Sequence, residues 1–132
     1  MIFVKIKDKL YQATINGRVQ DKEWDNRESK AITLEMDYTT AIALFVDGLA
    51  WSIVQRNEVP IYQADENGKA VLDEHGNPIQ TGTEMQETEF DNSDYFVAGA
   101  ITDNRNGKVT VKMGKKTDSE MLDELLEVLN ND

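Results

Sequence analysis

Alternation of apolar and polar residues constrains the fold of this sequence more than any other feature. The first segment places Ile2, Val4 and Ile6 on one face, which is the period-two pattern of a half-buried strand. The same alternation returns in the segments 10–19, 31–36, 49–62, 95–101 and 109–113. We expect the segment 49–62 to stop near Pro60, because proline cannot donate to a strand ladder. The pattern therefore predicts about six strands.

Two further segments have helical periodicity. Residues 38–47 follow Asp37, a suitable N-cap, and precede Gly48, which can adopt the left-handed conformation that ends a helix. Near the end of the sequence, Thr117 and Glu120 have the spacing of a capping box, and an apolar stripe follows them opposite acidic residues. The predicted fold class is therefore α+β: an antiparallel β-sheet or a small, partly open barrel, with one short middle helix and a C-terminal amphipathic helix.

Residues 63–92 interrupt this pattern, because they are poor in large apolar side chains and rich in turn-forming residues. Within them, the sequence DENG at 65–68 recurs eight positions later as DEHG at 73–76. We predict a single domain over residues 1–132, from which residues 63–92 depart as an acidic loop or β-arm. The net charge of −11 is concentrated in the same region, since residues 58–94 contain ten acids and one base. Such a charge opposes direct binding to nucleic acids and to anionic membranes.

The search for catalytic and metal-binding motifs points away from an enzyme. The chain has no cysteine, which excludes thiolate chemistry and fits a reducing compartment. Its single histidine, His75, lies in the acidic repeat, where no apolar neighbours would orient it as a triad requires. The two acidic turns also fail as calcium loops, because Lys69 and Pro78 occupy positions that need an oxygen ligand and a glycine. We therefore predict no catalytic residue, no cofactor, no metal site and no small-molecule ligand.

Three groups of residues are candidates for protein contacts. Trp24 is a large aromatic among charged residues, and we expect it either to fold back over the sheet edge or to anchor an interface. We expect the acidic segment either to be a solvated surface excursion or to be an arm that grips a neighbouring subunit, and Val71, Leu72 and Ile79 are the apolar residues that such an arm would insert. In the C-terminal stripe, Leu122, Leu126 and Leu129 are expected to pack on the core, or alternatively to dock into a partner's groove.

The stretches INGRVQDKEWDNRESKAITLEM and FVDGLAWSIV carry a resemblance. Through them, residues 1–55 resemble small uncharacterised proteins encoded among the tail-morphogenesis genes of prophages in Gram-positive bacteria. The resemblance implies a virion or assembly protein that binds other phage proteins or itself. It implies no functional residue, because these stretches carry no known chemistry. The expected location is the bacterial cytoplasm during assembly, or the virion.

A different class of function also fits the composition. Small acidic phage proteins can inhibit a host defence nuclease by presenting carboxylates in place of phosphates, as anti-CRISPR or anti-restriction inhibitors do. The acids of residues 58–94 would form such a DNA mimic, and its binding would weaken steeply with salt. Neither reading involves a membrane: no apolar segment approaches ~20 residues, and lysines interrupt the first segment, so we expect a soluble chain without signal peptide or anchor.

Overall fold

The computed structural model describes residues 1–130 and contains seven strands and two helices within them. Residues 131 and 132, with which the predicted domain ends, lie outside the described residues. The α+β class is confirmed, although the strand count exceeds the predicted six. The elements are β1 (Ile2–Ile6), β2 (Lys9–Asp21), β3 (Arg27–Glu35), α1 (Tyr38–Leu44), β4 (Ser52–Tyr62), β5 (Gln80–Asp91), β6 (Val97–Asp103), β7 (Lys108–Gly114) and α2 (Asp118–Asn130).

The strands form one open sheet in the order β5-β4-β1-β2-β3-β7-β6. The pairs β1–β2, β2–β3, β3–β7 and β6–β7 are antiparallel. Lys7 and Asp8 both have positive φ angles, 51° and 67°, in the two-residue turn between β1 and β2. In the β3–β7 pair, Ile32 lies opposite Val111, so the alternating apolar residues of the two strands share one face.

The chain divides into two compact units. The first, which we call the arm, consists of residues 55–88, together with Met1. The second, which we call the sheet body, consists of Ile2–Val54 and the residues from Glu89 onward. Strands β4 and β5 each contribute residues to both units.

The core of the sheet body lies on the face that α1 covers. From the helix and the segment after it, the buried side chains are Ala41, Phe45, Leu49 and Trp51. They pack with the buried strand residues Val4, Ile6, Ile32, Leu34, Val109, Val111 and Met113. The indole Nε1 of Trp51 donates to the backbone oxygen of Tyr95 at 2.9 Å, so the largest core side chain has its polar atom satisfied.

Helix α1 is shorter than the predicted span 38–47. It begins as predicted, because Asp37 accepts from the backbone N–H of Thr40 at 2.8 Å. It ends at Leu44, because Phe45 leaves the helical conformation, with φ −92° and ψ 86°, and buries its ring. Val46, which lies inside the predicted helical span, follows this end of the helix and is about half exposed, at 47%.

Strand β5 is the element that the sequence pattern missed. Every residue of Gln80–Asp91 is exposed, so the strand has no apolar face to create an alternation. Its neighbour β4 also runs two residues beyond Pro60, where the sequence predicted an end. A proline is tolerated in a strand where its nitrogen needs no ladder partner. Within the predicted excursion, residues 80–91 therefore form β5, which pairs with β4, and residues 63–79 form the connection between these two strands.

Candidate interaction surfaces

The first acidic repeat folds into a tight hairpin around one carboxylate. Oδ1 of Asp65 accepts from the backbone N–H groups of Asn67 and Lys69, both at 2.9 Å. The backbone N–H of Gly68 donates to the backbone carbonyl oxygen of Asp65 at 3.0 Å, and Gly68 has a φ of 80°. This left-handed conformation explains the glycine, since a side chain there would strain the turn.

The second repeat reproduces the first with nearly the same distances. Oδ1 of Asp73 accepts from His75 at 2.8 Å and from Asn77 at 2.9 Å, and Gly76 has a φ of 79°. The repeated sequence therefore encodes a repeated turn. In each turn, the aspartate carboxylate accepts hydrogen bonds from the backbone N–H groups two and four residues later. Among residues 1–130, no group of three or more metal-ligating side chains is close enough to hold a metal ion.

Three residues spaced by eight positions close the arm's tip. The backbone N–H of Gln63 donates to the carbonyl oxygen of Ile79 at 2.8 Å, and the N–H of Ile79 donates to the carbonyl oxygen of Val71 at 3.2 Å. The N–H of Val71 donates to the carbonyl oxygen of Gln63 at 2.9 Å and completes the cycle. This cycle joins the two turns to the ends of β4 and β5. The side chains of Val71 and Ile79 are half-buried there, whereas Leu72 is 55% exposed. Of the three predicted arm residues, Leu72 is therefore the one exposed to solvent.

The arm has no buried residue among positions 55–88. It nevertheless exposes four large apolar side chains, which are Ile61, Tyr62, Leu72 and Met85. The same residues contain seven acids and two bases, and Glu87 lies 3.5 Å from Nε of Arg56. The arm is thus an acidic ribbon with apolar side chains along it.

Trp24 folds back over the sheet edge, which is one of the two positions predicted for it. It lies in the turn between β2 and β3, half-buried, with its ring over Gly99 and Gly114. A Cβ atom at Gly99 would lie 2.6 Å from Cη2 of Trp24, so the ring occupies the space that a side chain would fill. Because β6 is an edge strand, the indole covers the sheet edge. Its role as an interface anchor stays a prediction.

Arg27 connects this tryptophan to α2, a link that the sequence did not indicate. Its guanidinium lies 4.7 Å from the centre of the Trp24 ring and is almost fully buried. Nη1 donates to Oε1 of Glu120 at 2.5 Å, and Nη2 donates to Oε2 at 3.1 Å. This bidentate pair lowers the pKa of Glu120 to about 2. The side chain of Arg27 therefore links the turn between β2 and β3 to the first turn of α2.

The predicted capping box of α2 is confirmed. The backbone N–H of Glu120 donates to Oγ1 of Thr117 at 3.2 Å, and Oε1 of Glu120 accepts from the N–H of Thr117 at 2.9 Å. Glu120 therefore serves both the helix start and the ion pair with Arg27. One turn later, Glu124 pairs with Lys116.

The expectation that the C-terminal stripe packs on the core is wrong. No described residue of α2 is buried, and its large apolar side chains are 48–65% exposed. Three acids of the helix, Glu120, Asp123 and Glu124, line a groove of 610 Å³ with Gly48 and Phe96, but the Glu120 and Glu124 side chains are themselves 43% and 58% exposed. Periodicity identifies an amphipathic helix, but it does not indicate whether the apolar face packs on the core when a buried arginine, here Arg27, pairs with an acid of the helix.

A polar cluster at one end of the core was also missed by sequence reasoning. The hydroxyl of Tyr95 donates to the Glu28 carboxylate, and Nζ of Lys115 lies 3.3 Å from both Glu28 and Asp94. Burial, together with the Glu28 carboxylate, raises the pKa of Tyr95 to about 12. The tyrosine therefore keeps its proton, and the cluster fixes the segment before β6.

Comparisons with known proteins add no relative to this description. No family model matches the chain, and no curated protein or solved structure matches it. Within residues 1–130, the structure contains no helix that combines the length and the apolar character needed to cross a membrane.

Proposed function

We propose that this chain is a non-enzymatic structural or assembly protein of a phage or prophage, associated with the tail, that acts through protein–protein contacts. The single observation that carries the proposal is the arm, an ordered ribbon with no buried residue and four exposed apolar side chains. A two-stranded ribbon is marginally stable alone in water, so a partner that covers it would stabilise it. The phage context is supported by the resemblance of residues 1–55.

The hydrogen bonds of the arm favour assembly over the alternative of a DNA mimic. A mimic needs carboxylates that are free to replace phosphates. Asp65 and Asp73 instead engage their own backbone, and Glu87 has Arg56 beside it. These contacts already occupy one carboxylate oxygen of each of these three acids, whereas they leave the apolar side chains accessible.

Affinity capture from a lysate of prophage-induced Gram-positive cells tests the proposal. The bait is the full chain, compared with the double variant Leu72→Ser and Met85→Ser. The matched control is Ile42→Ser, which changes a similarly exposed apolar residue of α1 outside the arm. We expect tail proteins to be recovered with the unmodified chain and with the control, and to be lost with the double variant.

Two outcomes would contradict this proposal. Recovery of a host nuclease that is released by high salt, with no tail protein, would support the DNA mimic instead. Recovery of the same tail proteins by the double variant would show that the apolar residues of the arm do not form the contact.

A further inference from the structure

The two edges of the sheet differ in how their backbone is covered. Along β6, the ring of Trp24 lies over Gly99, and the backbone N–H of Ala98 donates to Oδ1 of Asp47 at 2.8 Å. An edge strand exposes a row of unpaired backbone groups, and such contacts cover part of that row. At the other edge, β5 has β4 on one side, and no strand of residues 1–130 pairs with its other side. We call this side of β5 the open edge.

The sequence of β5 lacks several features that keep a strand edge from pairing. The strand has 12 residues, all exposed, with no proline and no lysine among them. Natural edge strands are commonly short, or carry proline or lysine, because these features disfavour the addition of another strand. Residues 80–88 of β5 lie within the arm. The open edge therefore belongs largely to the unit on which the proposed function depends.

The charge of β5 favours one class of added strand over another. The strand contains no base, and its four acids are Glu84, Glu87, Glu89 and Asp91. If β5 paired with β5 of a second copy, acids would lie beside acids, and like charges on neighbouring strands are destabilising. The arm as a whole adds to this repulsion, since it contains seven acids and two bases. A strand that carries lysine or arginine would instead bring opposite charges together.

We propose that the open edge of β5 binds a basic, extended segment of another protein, which adds to the seven-stranded sheet as a further strand. The proposal rests on the proposed function, because it states the chemistry of a partner that the arm contacts. Main-chain hydrogen bonds along the open edge hold the segment. Its lysine or arginine side chains lie beside the acids of β5 and distinguish it from a second copy of this chain.

Glu84 is the acid of β5 that is best placed to select such a segment. The carboxylates of Glu87, Glu89 and Asp91 already contact neighbours within their own chain. Among residues 1–130, no hydrogen bond or ion pair engages the side chain of Glu84. Because Glu84 is also exposed, its carboxylate is available to a cation on an added strand.

A synthetic basic peptide tests the inference. The probe has the length of residues 80–88, alternates lysine with threonine and has both ends blocked. It is added to the isotope-labelled full chain, and amide hydrogen exchange is followed residue by residue by NMR. Because neighbouring N–H groups of a strand point to opposite sides, only every second amide of β5 faces the open edge. We expect these alternate amides to exchange freely in the isolated chain and to gain protection when the peptide binds.

Two altered peptides separate the role of charge from that of backbone pairing. In one, glutamate replaces each lysine; in the other, every amide is N-methylated, which keeps the charge but removes the hydrogen-bond donors. We expect neither peptide to protect β5. Equal protection by the acidic peptide would overturn the selection by charge, and equal protection by the methylated peptide would overturn strand addition. If the alternate amides still exchange freely with the basic peptide, the inference as a whole is wrong.

A pair of charge reversals locates the contact on β5. Glu84→Lys and Glu127→Lys change the net charge equally, and each replaces an exposed acid without an ion pair among the described residues. Only Glu84 lies on β5. We expect Glu84→Lys to weaken binding of the basic peptide roughly two- to tenfold at low salt, because it replaces an exposed attraction by a repulsion. Glu127→Lys should change it less than about twofold. Equal weakening by both variants would show that the peptide responds to the overall charge, and would overturn binding at the open edge.

The failure of this inference and the failure of the proposed function are distinguishable. If the basic peptide does not protect β5 but tail proteins are still captured through Leu72 and Met85, strand addition fails while the assembly role stands. If the peptide protects the alternate amides of β5 but no phage protein is captured, strand addition stands and the assembly role fails.

Discussion

The sheet body and the arm contain strands of similar length, yet they hold their shape by different means. In the sheet body, α1 and five strands enclose side chains such as Leu34, Phe45 and Val111, which are almost fully buried. In the arm, no residue is buried, and order comes from backbone pairing and two aspartate-centred turns. Burial contributes about 1.5–3 kcal/mol for each large apolar side chain, whereas a solvent-exposed hydrogen bond contributes much less. We therefore expect the arm to open before the sheet body does.

One substitution of the same type in each region gives the largest expected difference. Leu34→Ala should lower the free energy of unfolding by about 2–5 kcal/mol, because it removes a buried side chain from a packed core. Leu72→Ala should change it by no more than about 0.5 kcal/mol, because Leu72 is exposed at the arm's tip. Urea unfolding of the two variants measures both values. If both variants lost the same free energy of unfolding, Leu72 would have to be buried in the isolated protein, and the two regions would not differ in how they are stabilised.

A pair of glycines sharpens the same contrast at a smaller scale. Gly99→Ala should destabilise the sheet body by about 1–3 kcal/mol, because the new Cβ would meet the ring of Trp24 at 2.6 Å. Gly82→Ala in the arm should be within about 0.5 kcal/mol of neutral, since nothing lies within 4 Å of its added Cβ. Thermal unfolding checks both. In Gly99→Ala, the tryptophan emission should also shift to longer wavelength, because the displaced Trp24 ring becomes more exposed to water. An unchanged emission with full stability would show that the indole does not occupy that position in solution.

The same contrast explains which elements were predictable. Strands with one buried face, such as β1 and β7, leave an apolar alternation in the sequence, and this pattern is local. The turns at Asp65 and Asp73 were also recognisable, because an aspartate and a glycine carry the geometry within four residues. Strand β5 was not recognisable, because all its residues are exposed and its sequence therefore has no apolar alternation that would indicate pairing with β4.

The candidate surfaces were predictable only in part, because burial depends on distant partners. Trp24 was identified by its residue type, but its position over the sheet requires Gly99 and Gly114, which lie 75 and 90 positions later in the chain. Leu122, Leu126 and Leu129 were identified as a stripe, but the position of their helix depends on contacts such as the ion pair of Glu120 with Arg27, which lies 93 positions earlier. A cation that holds the acidic face of a helix inverts the usual expectation for its apolar face. Sequence periodicity contains no signal for that cation.

Protonation of Glu120 gives the smallest expected effect and tests how α2 is held. The ion pair with Arg27 lowers the pKa of Glu120 from 4.5 to about 2. Because the folded pKa is depressed, the stabilisation is fully present above pH 4.5 and is lost as the pH falls toward 2. Since Glu120 is 43% exposed, solvent screening limits the contribution to about 1 kcal/mol. Amide hydrogen exchange should show α2 losing protection over this range, before the buried strands β3 and β7 do.

A charge-neutral variant separates this ion pair from the other carboxylates that titrate in acid. Glu120→Gln should weaken the protection of α2 already at neutral pH and remove its loss between pH 4.5 and 2. Glu127→Gln, on the same helix but without an ion pair among the described residues, should leave both unchanged. If Glu120→Gln retained the full acid transition, the opening of α2 would follow protonation of groups inside the sheet body, such as Asp21 or Glu28, whose pKa values are also lowered by their hydrogen bonds. The helix would then be held by the integrity of the sheet rather than by Arg27, and the reason for its outward apolar face would have to be sought there.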